Sequence, residues 1–297
     1  MAGYALAYAL AGMAALLWGV VVIPIKRART SGRLGIAISM ATGTIVMLAL
    51  AISWPAAGGV GELITLSYAE FARFLVTGAL QFTLGCMLYY IAIQHGSLSI
   101  AVPITRVKVL IILFLSVLLG LEVFRWGLLG AALLVFLGGA LLSKPSARAD
   151  EAERGDHWRS IAFAVGACIF WAVGETLIGT LPERVPPIAA NGMMLGCGLV
   201  TWCVYALISG AWRELLAMPG HDIWCYMAHG LISFSAAYAL FVAAIQMVGP
   251  PRVVIITSTY PLISALVGWV LYHERFSARL VTGAALLIGG VIVLQFV

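Results

Sequence analysis

The chain has 297 residues, of which 63% are hydrophobic and only 10% charged, with a formal net charge of +5. An ordinary soluble domain carries about 25% charged residues, so a water-soluble fold of this size is excluded. The positive balance does not point to nucleic acid, because the basic residues fall in short stretches between apolar runs and act as topology signals.

Apolar runs bounded by Gly, Pro or charge predict ten spans, at 4–25, 34–53, 71–93, 98–120, 125–142, 159–180, 187–209, 223–246, 250–272 and 278–296. Met1 to Ile25 lacks a basic n-region and an AxA-like site, so it reads as a retained first span rather than a signal peptide. The fourth run carries Arg106 and Lys108 inside it. At about 1.5 Å per residue, Lys108 lies roughly 15 Å in, near the centre of a ~30 Å hydrocarbon core. A cation there costs at least about 2.5–3.5 kcal/mol unless it meets water, a counter-ion or a bound anion. Pro103, just upstream, frees a backbone carbonyl that needs a partner. This helix is therefore expected to wall a polar cavity.

The longest hydrophilic stretch, SKPSARADEAERGDHWR, begins at Ser143. It divides the chain into a first five-helix unit at 1–143, a linker at 144–158 and a second five-helix unit at 159–297. A shift of 152 residues pairs Gly78 with Gly230, Phe82 with Phe234, Gln94 with Gln246, Thr105 with Thr257 and Glu122 with Glu274. Trp18 meets Trp171 at a shift of 153. Polar pairs in one ungapped register are hard to obtain from hydrophobic composition alone. Five is an odd number of spans, so the second unit enters the membrane in the opposite sense. Inverted repeats of this kind are the signature of secondary transporters, with substrate held near the midplane between them. The fold class expected is thus all-α integral membrane, ten transmembrane helices as two five-helix inverted repeats.

The segments LLWG at Leu16–Gly19, AIQHGSLSIAVPI, LGLEVFRWGLLGAALLVFLGGALL and the echo AIQMVGPPRVVIITSTYPLISALVGWVLYHERFSARLVTGAALLIGGVIVL resemble tandem EamA domains of the drug/metabolite transporter superfamily. The resemblance implies ten helices, a central cavity lined by both halves, and alternating access without ATP. It leaves open which of amino acids, sugars, nucleotide-sugars, phosphorylated metabolites or drugs is carried.

Lys26, Arg27, Arg29, Arg33, Lys144, Arg148, Arg154, Arg159, Arg213, Arg275 and Arg279 follow odd spans; Arg73, Arg125, Arg184 and Arg252 follow even ones. The positive-inside rule then places both termini on the non-cytoplasmic side, whereas well-known bacterial members of the family have cytoplasmic termini. A short chain without long soluble segments fits a bacterial inner membrane.

Candidate substrate-binding residues are Lys108, Arg106, Thr105, Tyr260, Ser258, Trp18, Trp171, Tyr89 and Tyr238, with Tyr90 of the same kind. Arg106 and Lys108 stand about 200° apart on a regular helix, so both face one cavity only if the backbone opens near Pro103. Lys108 and Arg106 either bind an anionic group or serve structure. Ser258 and Tyr260 are their repeat partners, and Tyr260 could hydrogen-bond substrate opposite Lys108. Glu175 is the candidate proton-coupling carboxylate or counter-ion, and His229 a group titrating near neutral pH. Trp18 and Trp171 either bound the substrate or face lipid. Gln94 and Gln246 are expected to satisfy turn backbone, and Glu122 and Glu274, at loop mouths with Arg125 and Arg275 nearby, to act as caps or form loop salt bridges. Gly192, Gly196, Gly138, Gly139, Gly289 and Gly290 are expected to let helices approach closely.

Cys86, Cys168, Cys197, Cys203 and Cys225 sit in or beside apolar runs with no CxxC, which argues against metal and disulfides. No HExxH, GxSxG or paired intramembrane aspartates are present, so neither a cofactor nor catalysis is expected. The function expected is a secondary transporter of a small organic metabolite bearing a carboxylate or phosphate, acting as monomer or homodimer in a lipid bilayer, with protons as a possible coupling ion. The alternatives are a neutral or zwitterionic cargo (an amino acid, a sugar or a lipid-linked sugar) with structural cations, and a non-transporting scaffold.

Overall fold

A computed structural model describes residues 2–53, 60–95, 98–143, 157–272 and 278–297, and all regular structure among them is helical. A bilayer offers the backbone no water, so the N–H and C=O groups within a span are satisfied along its own helix or, where that helix is interrupted, by neighbouring side chains. The first half comprises α1 (Ala2–Val20), α2 (Val22–Arg27), α3 (Gly32–Ser53), α4 (Gly61–Ile64), α5 (Tyr68–Gly78), α6 (Gly85–His95), α7 (Leu98–Arg106), α8 (Lys108–Leu118) and α9 (Trp126–Ser143). The second comprises α10 (His157–Ile178), α11 (Pro187–Ser209), α12 (Ala211–Leu216), α13 (Gly220–His229), α14 (Tyr238–Val248), α15 (Pro250–Thr257), α16 (Tyr260–Tyr272) and α17 (Ala278–Leu294). Most of the expected linker, together with Glu274 and Arg275, lies outside the described residues.

Eight helices among the described residues are long and apolar enough to cross a membrane: Gly3–Ile25, Gly32–Ser53, Tyr68–His95, Ala101–Leu118, Trp158–Ile178, Pro187–Ser209, Gly220–Val248 and Pro250–Val267. The fifth and tenth expected spans are shorter apolar helices, Trp126–Leu142 and Ala278–Leu294. These two pack on each other through glycines: a Cβ on Gly138 would lie 2.7 Å from the Gly283 carbonyl, and one on Gly290 2.8 Å from that of Ala131. Gly139 instead faces the Arg106 stem, and Gly289 meets nothing within 4 Å. Gly192 and Gly196 let α11 approach Met47, Leu48 and Thr44 of α3.

The opening helix of each half packs into the other half. α1 lies against α14, α15 and α16, while α10 lies against α6, α7 and α8. This exchange brings Trp18 of α1 and Trp171 of α10 to the interface between halves.

Four interruptions shape that interface. A π-helical turn, Ala79–Leu84, joins α5 to α6, and a second, Gly230–Ala237, joins α13 to α14. Their starts are 151 residues apart and their ends 153, so both fall at the same point of the repeat. Such wide turns rotate the following residues and free a carbonyl. The fourth span breaks at Val107, whose N–H bonds the Ile104 carbonyl at 3.1 Å in a tight turn between α7 and α8. The ninth breaks likewise at Ser258 and Thr259, ahead of Pro261. Each tight turn follows the helix segment whose register the shift of 152 relates.

At the membrane faces, Ser67 and Glu70 close a capping box at the start of α5. Gly249 (φ 81°) turns the chain into Pro250, which opens α15 at a position where a missing N–H costs nothing. As a consequence Arg252 is a buried helical residue and not, as the sequence suggests, a loop cation; Arg73 likewise lies within α5. Isolated large side chains such as Ile45, Leu207 and Ile208 remain exposed on the outer surface, where acyl chains would cover them.

Candidate functional site

A cavity of about 270 Å³ lies between the halves, lined by α1, α3, α6, α8, α10, α13, α14, α16 and both π turns. Its polar feature is an ion pair. Lys108 Nζ stands 2.6 Å from Glu175 Oε1, with side-chain exposures of 18% and 3%. The break at Val107 makes Lys108 the first residue of α8 and turns its ammonium inward.

Arg106 precedes the break and points elsewhere, as a 200° separation requires. Its stem packs on Gly139, and its Nη2 donates to the Tyr260 hydroxyl at 2.6 Å with the guanidinium 4.6 Å from the ring centroid. Tyr260 lines the cavity, so Arg106 touches it only through that phenol. Thr105 and Ser258, both buried, are not among the cavity-lining side chains; the Thr105 hydroxyl donates to the Val102 carbonyl at 2.8 Å and Ser258 sits in the α15–α16 break. Tyr260 reaches the cavity with its oxygen accepting from Arg106, so it meets the cavity as an O–H donor.

The remaining walls are aromatic. Trp18 packs edge-on against Tyr238 at 5.1 Å and Tyr260 at 6.4 Å, and Tyr89 lies 5.2 Å from Trp171. The Lys108 ammonium is 5.5 Å from the Trp171 ring centroid. Tyr90, Phe234 and Ser233 complete the lining with His229. His229 ends α13 but is interior to the continuous Gly220–Val248 span, and its Nδ1 lies 2.9 Å from Ser39 Oγ.

Sequence reasoning missed Gln81, which joins these parts. Its Nε2 donates to the Tyr238 oxygen at 2.6 Å and reaches Glu175 Oε1 at 3.3 Å. Its carbonyl, displaced by the π turn, accepts the Trp171 indole N–H at 3.1 Å. Gly174 leaves room for the amide, since a Cβ there would come 2.8 Å from Gln81 Oε1. The available signal was a lone amide inside the apolar run ALQFTL, a polar group that lipid cannot satisfy.

The other sequence-derived polar residues are engaged at the periphery. Gln94 donates to Ser31 Oγ and Gln246 to the Val185 carbonyl, at 2.9 and 3.0 Å. Glu122 pairs with Arg252 at 2.8 Å rather than with Arg125, which instead bonds the Val297 carbonyl. Among the described residues no three His, Cys, Asp or Glu side chains gather as metal ligands. A larger space of about 530 Å³, bounded by Met47, Ile188, Leu231 and Leu240, is almost wholly aliphatic and offers nothing to orient a polar solute.

A model of the EamA-like transporter family matches residues 5–144 and again 158–296. An uncharacterized transporter of Archaeoglobus fulgidus is 25% identical over 222 residues, 74% of each chain. A protein of known crystal structure superposes with a TM-score of 0.78 at 19% identity, covering 98% of this chain and 96% of that one, which shows a shared fold. Two tandem matches over nearly the whole length, on a helical architecture built for a bilayer, establish that the chain belongs to the EamA-like transporter family.

Proposed function

We propose that this membrane transporter carries a small organic metabolite with an anionic group, a carboxylate or phosphate, by alternating access at the cavity between two inverted five-helix units. The observation that carries this reading is the Lys108 ammonium lining an aromatic-walled cavity of about 270 Å³ in mid-span. Three further features support it. Lys108 has three N–H donors and Glu175 takes one. The oxygens of Tyr238 and Tyr260 accept from Gln81 and Arg106, so both phenol O–H groups are available to donate. Arg106, Lys108 and Glu175 sum to +1, a charge one anion neutralises. The aromatic rings then bound the apolar part of the cargo, and Glu175 balances Lys108 when no anion is bound.

The two short apolar helices count as spans five and ten in this reading, and the excess of basic residues after odd spans puts both termini on the non-cytoplasmic side. The test is thermal unfolding against carboxylates, phosphates, amino acids, sugars and aromatic cations, on wild type and Lys108→Ala. A ligand that binds the folded state raises its apparent stability. Stabilisation by anions that the variant loses supports the reading. Stabilisation confined to neutral, zwitterionic or cationic compounds refutes it in favour of a second reading, in which Glu175 already neutralises Lys108 and the cations are structural. The 2.6 Å ion pair is the observation on that side.

A further inference from the structure

Glu175 is satisfied on one side only. Its Oε1 takes both Lys108 Nζ and Gln81 Nε2, while Oε2 is buried without a partner. Gln81 Oε1 is also buried without a partner. Two orphan acceptor oxygens therefore belong to side chains already joined at 3.3 Å. A buried acceptor left unpaired costs about 1–3 kcal/mol. A single proton placed on Glu175 relieves both, because Oε2–H becomes a donor and the Gln81 amide oxygen its acceptor. The same proton removes the counter-ion of Lys108.

Resting on the anionic-cargo reading, we infer that Glu175 and Gln81 form a proton site that trades places with the cargo on Lys108. In the empty state the ammonium pairs with the ionised carboxylate. One anion and one proton then enter together. The anion takes the Lys108 N–H vacated by Glu175, and the proton forms an O–H bond at Glu175 Oε2 directed to the Gln81 carbonyl. The ion pair is neutral before loading, and Lys108, the protonated Glu175 and the bound anion together are neutral after it, so loading adds no net charge to a low-dielectric site. Gln81 is a positioning residue here: it holds the carboxylate in the ionised state through its N–H and in the neutral state through its oxygen.

The titratable and charged groups around Glu175 are Lys108 of α8, Arg106 of α7, Cys168 of α10 itself, Cys86, Tyr89 and Tyr90 of α6, His229 of α13, Tyr238 of α14 and Tyr260 of α16. Glu70 pairs with Arg184, Arg73 bonds the Thr180 carbonyl, and Arg252 pairs with Glu122, which engages the charges on α5 and α15 elsewhere. Glu175 is thus the carboxyl group of the cavity lining.

The test uses the full chain in lipid nanodiscs and two probes, protons alone and sodium benzoate. Infrared difference spectra between neutral and acid pH are expected to show a carboxylic-acid stretch that Glu175→Gln abolishes and Gln81→Leu displaces. Benzoate affinity, read from tryptophan fluorescence, is expected to rise about tenfold per unit fall in pH above the midpoint of that band and to level off below it, with no pH dependence in Glu175→Gln. Gln81→Met, which preserves shape, serves should the leucine variant fail to fold. Benzoate binding that is independent of pH, with no band lost in Glu175→Gln, overturns the proton site and leaves the anionic-cargo reading standing. A band with the expected losses but no benzoate or other anion bound at any pH overturns the exchange and the cargo reading together, while leaving a protonatable Glu175.

Discussion

The Lys108 ammonium and the Glu175 carboxylate meet at 2.6 Å across the two halves, the carboxylate almost fully enclosed and the ammonium at the cavity wall. Removing one member of such a pair leaves a buried charge, at a cost of about 3–5 kcal/mol, whereas replacing both by apolar groups of similar volume is close to neutral. Lys108→Ala is expected to lower the unfolding free energy by that amount, and Lys108→Met with Glu175→Leu to recover most of it. A double-mutant cycle by denaturant unfolding in detergent reads the coupling. Equal stability of wild type and Lys108→Ala would show that the pair is open to water.

The helical membrane architecture was legible because lipid removes alternatives: long apolar runs can only be helices, and Lys108 in mid-run had to face something polar. What composition hides is where helices stop being regular. The break at Val107 decides that Lys108 lines the cavity and Arg106 does not, and nothing in VPITRVKV fixes that position beyond the nearby Pro103. Gln81 was passed over because an uncharged amide in an apolar run draws no notice beside Arg106 and Lys108, and its importance comes from the π turn that aims its carbonyl at Trp171. Arg252 was misplaced because adjacent prolines look like a loop, although they also begin helices.

Close approach of the halves at the second π turn gives a further expectation. A Cβ on Gly230 would sit 2.5 Å from the Ser39 carbonyl and 2.9 Å from its Cα, with backbone that cannot yield cheaply. Gly230→Ala is expected to cost about 1–3 kcal/mol, the usual range for overpacking. Gly289 meets no atom within 4 Å, so Gly289→Ala should change stability by less than about 0.5 kcal/mol. Thermal unfolding of the two variants side by side checks the contrast, and comparable losses would mean the α3 contact is loose.

Orientation follows from where single cysteines meet a membrane-impermeant thiol reagent. Glu214 follows the seventh expected span and has a side-chain exposure of 57%. Glu183 follows the sixth and is also exposed. In a chain stripped of its native cysteines, Glu183→Cys should label in intact cells and Glu214→Cys only after the membrane is opened. The reverse pattern would place both termini in the cytoplasm and set the Lys/Arg count aside.

Two ion pairs tie the halves together at one membrane face, and burial separates them. Glu122 and Arg252 are only 9% and 7% exposed, with Nε and Nη2 donating to the two carboxylate oxygens at 2.8 and 3.3 Å. Glu70 and Arg184 are bidentate as well, at 2.5 and 2.8 Å, but Arg184 is 43% exposed. Water and salt screen the second pair far more than the first. Glu122→Ala strands a buried guanidinium and should cost about 3–5 kcal/mol. Glu70→Gln should leave stability almost unchanged, and any loss should vanish in high salt. Arg252→Lys tests the geometry separately, because a lysine keeps the charge but cannot make two parallel bonds. It should fall between wild type and Glu122→Ala in denaturant unfolding. If it matches wild type, charge alone holds this face, and the bidentate fit contributes nothing.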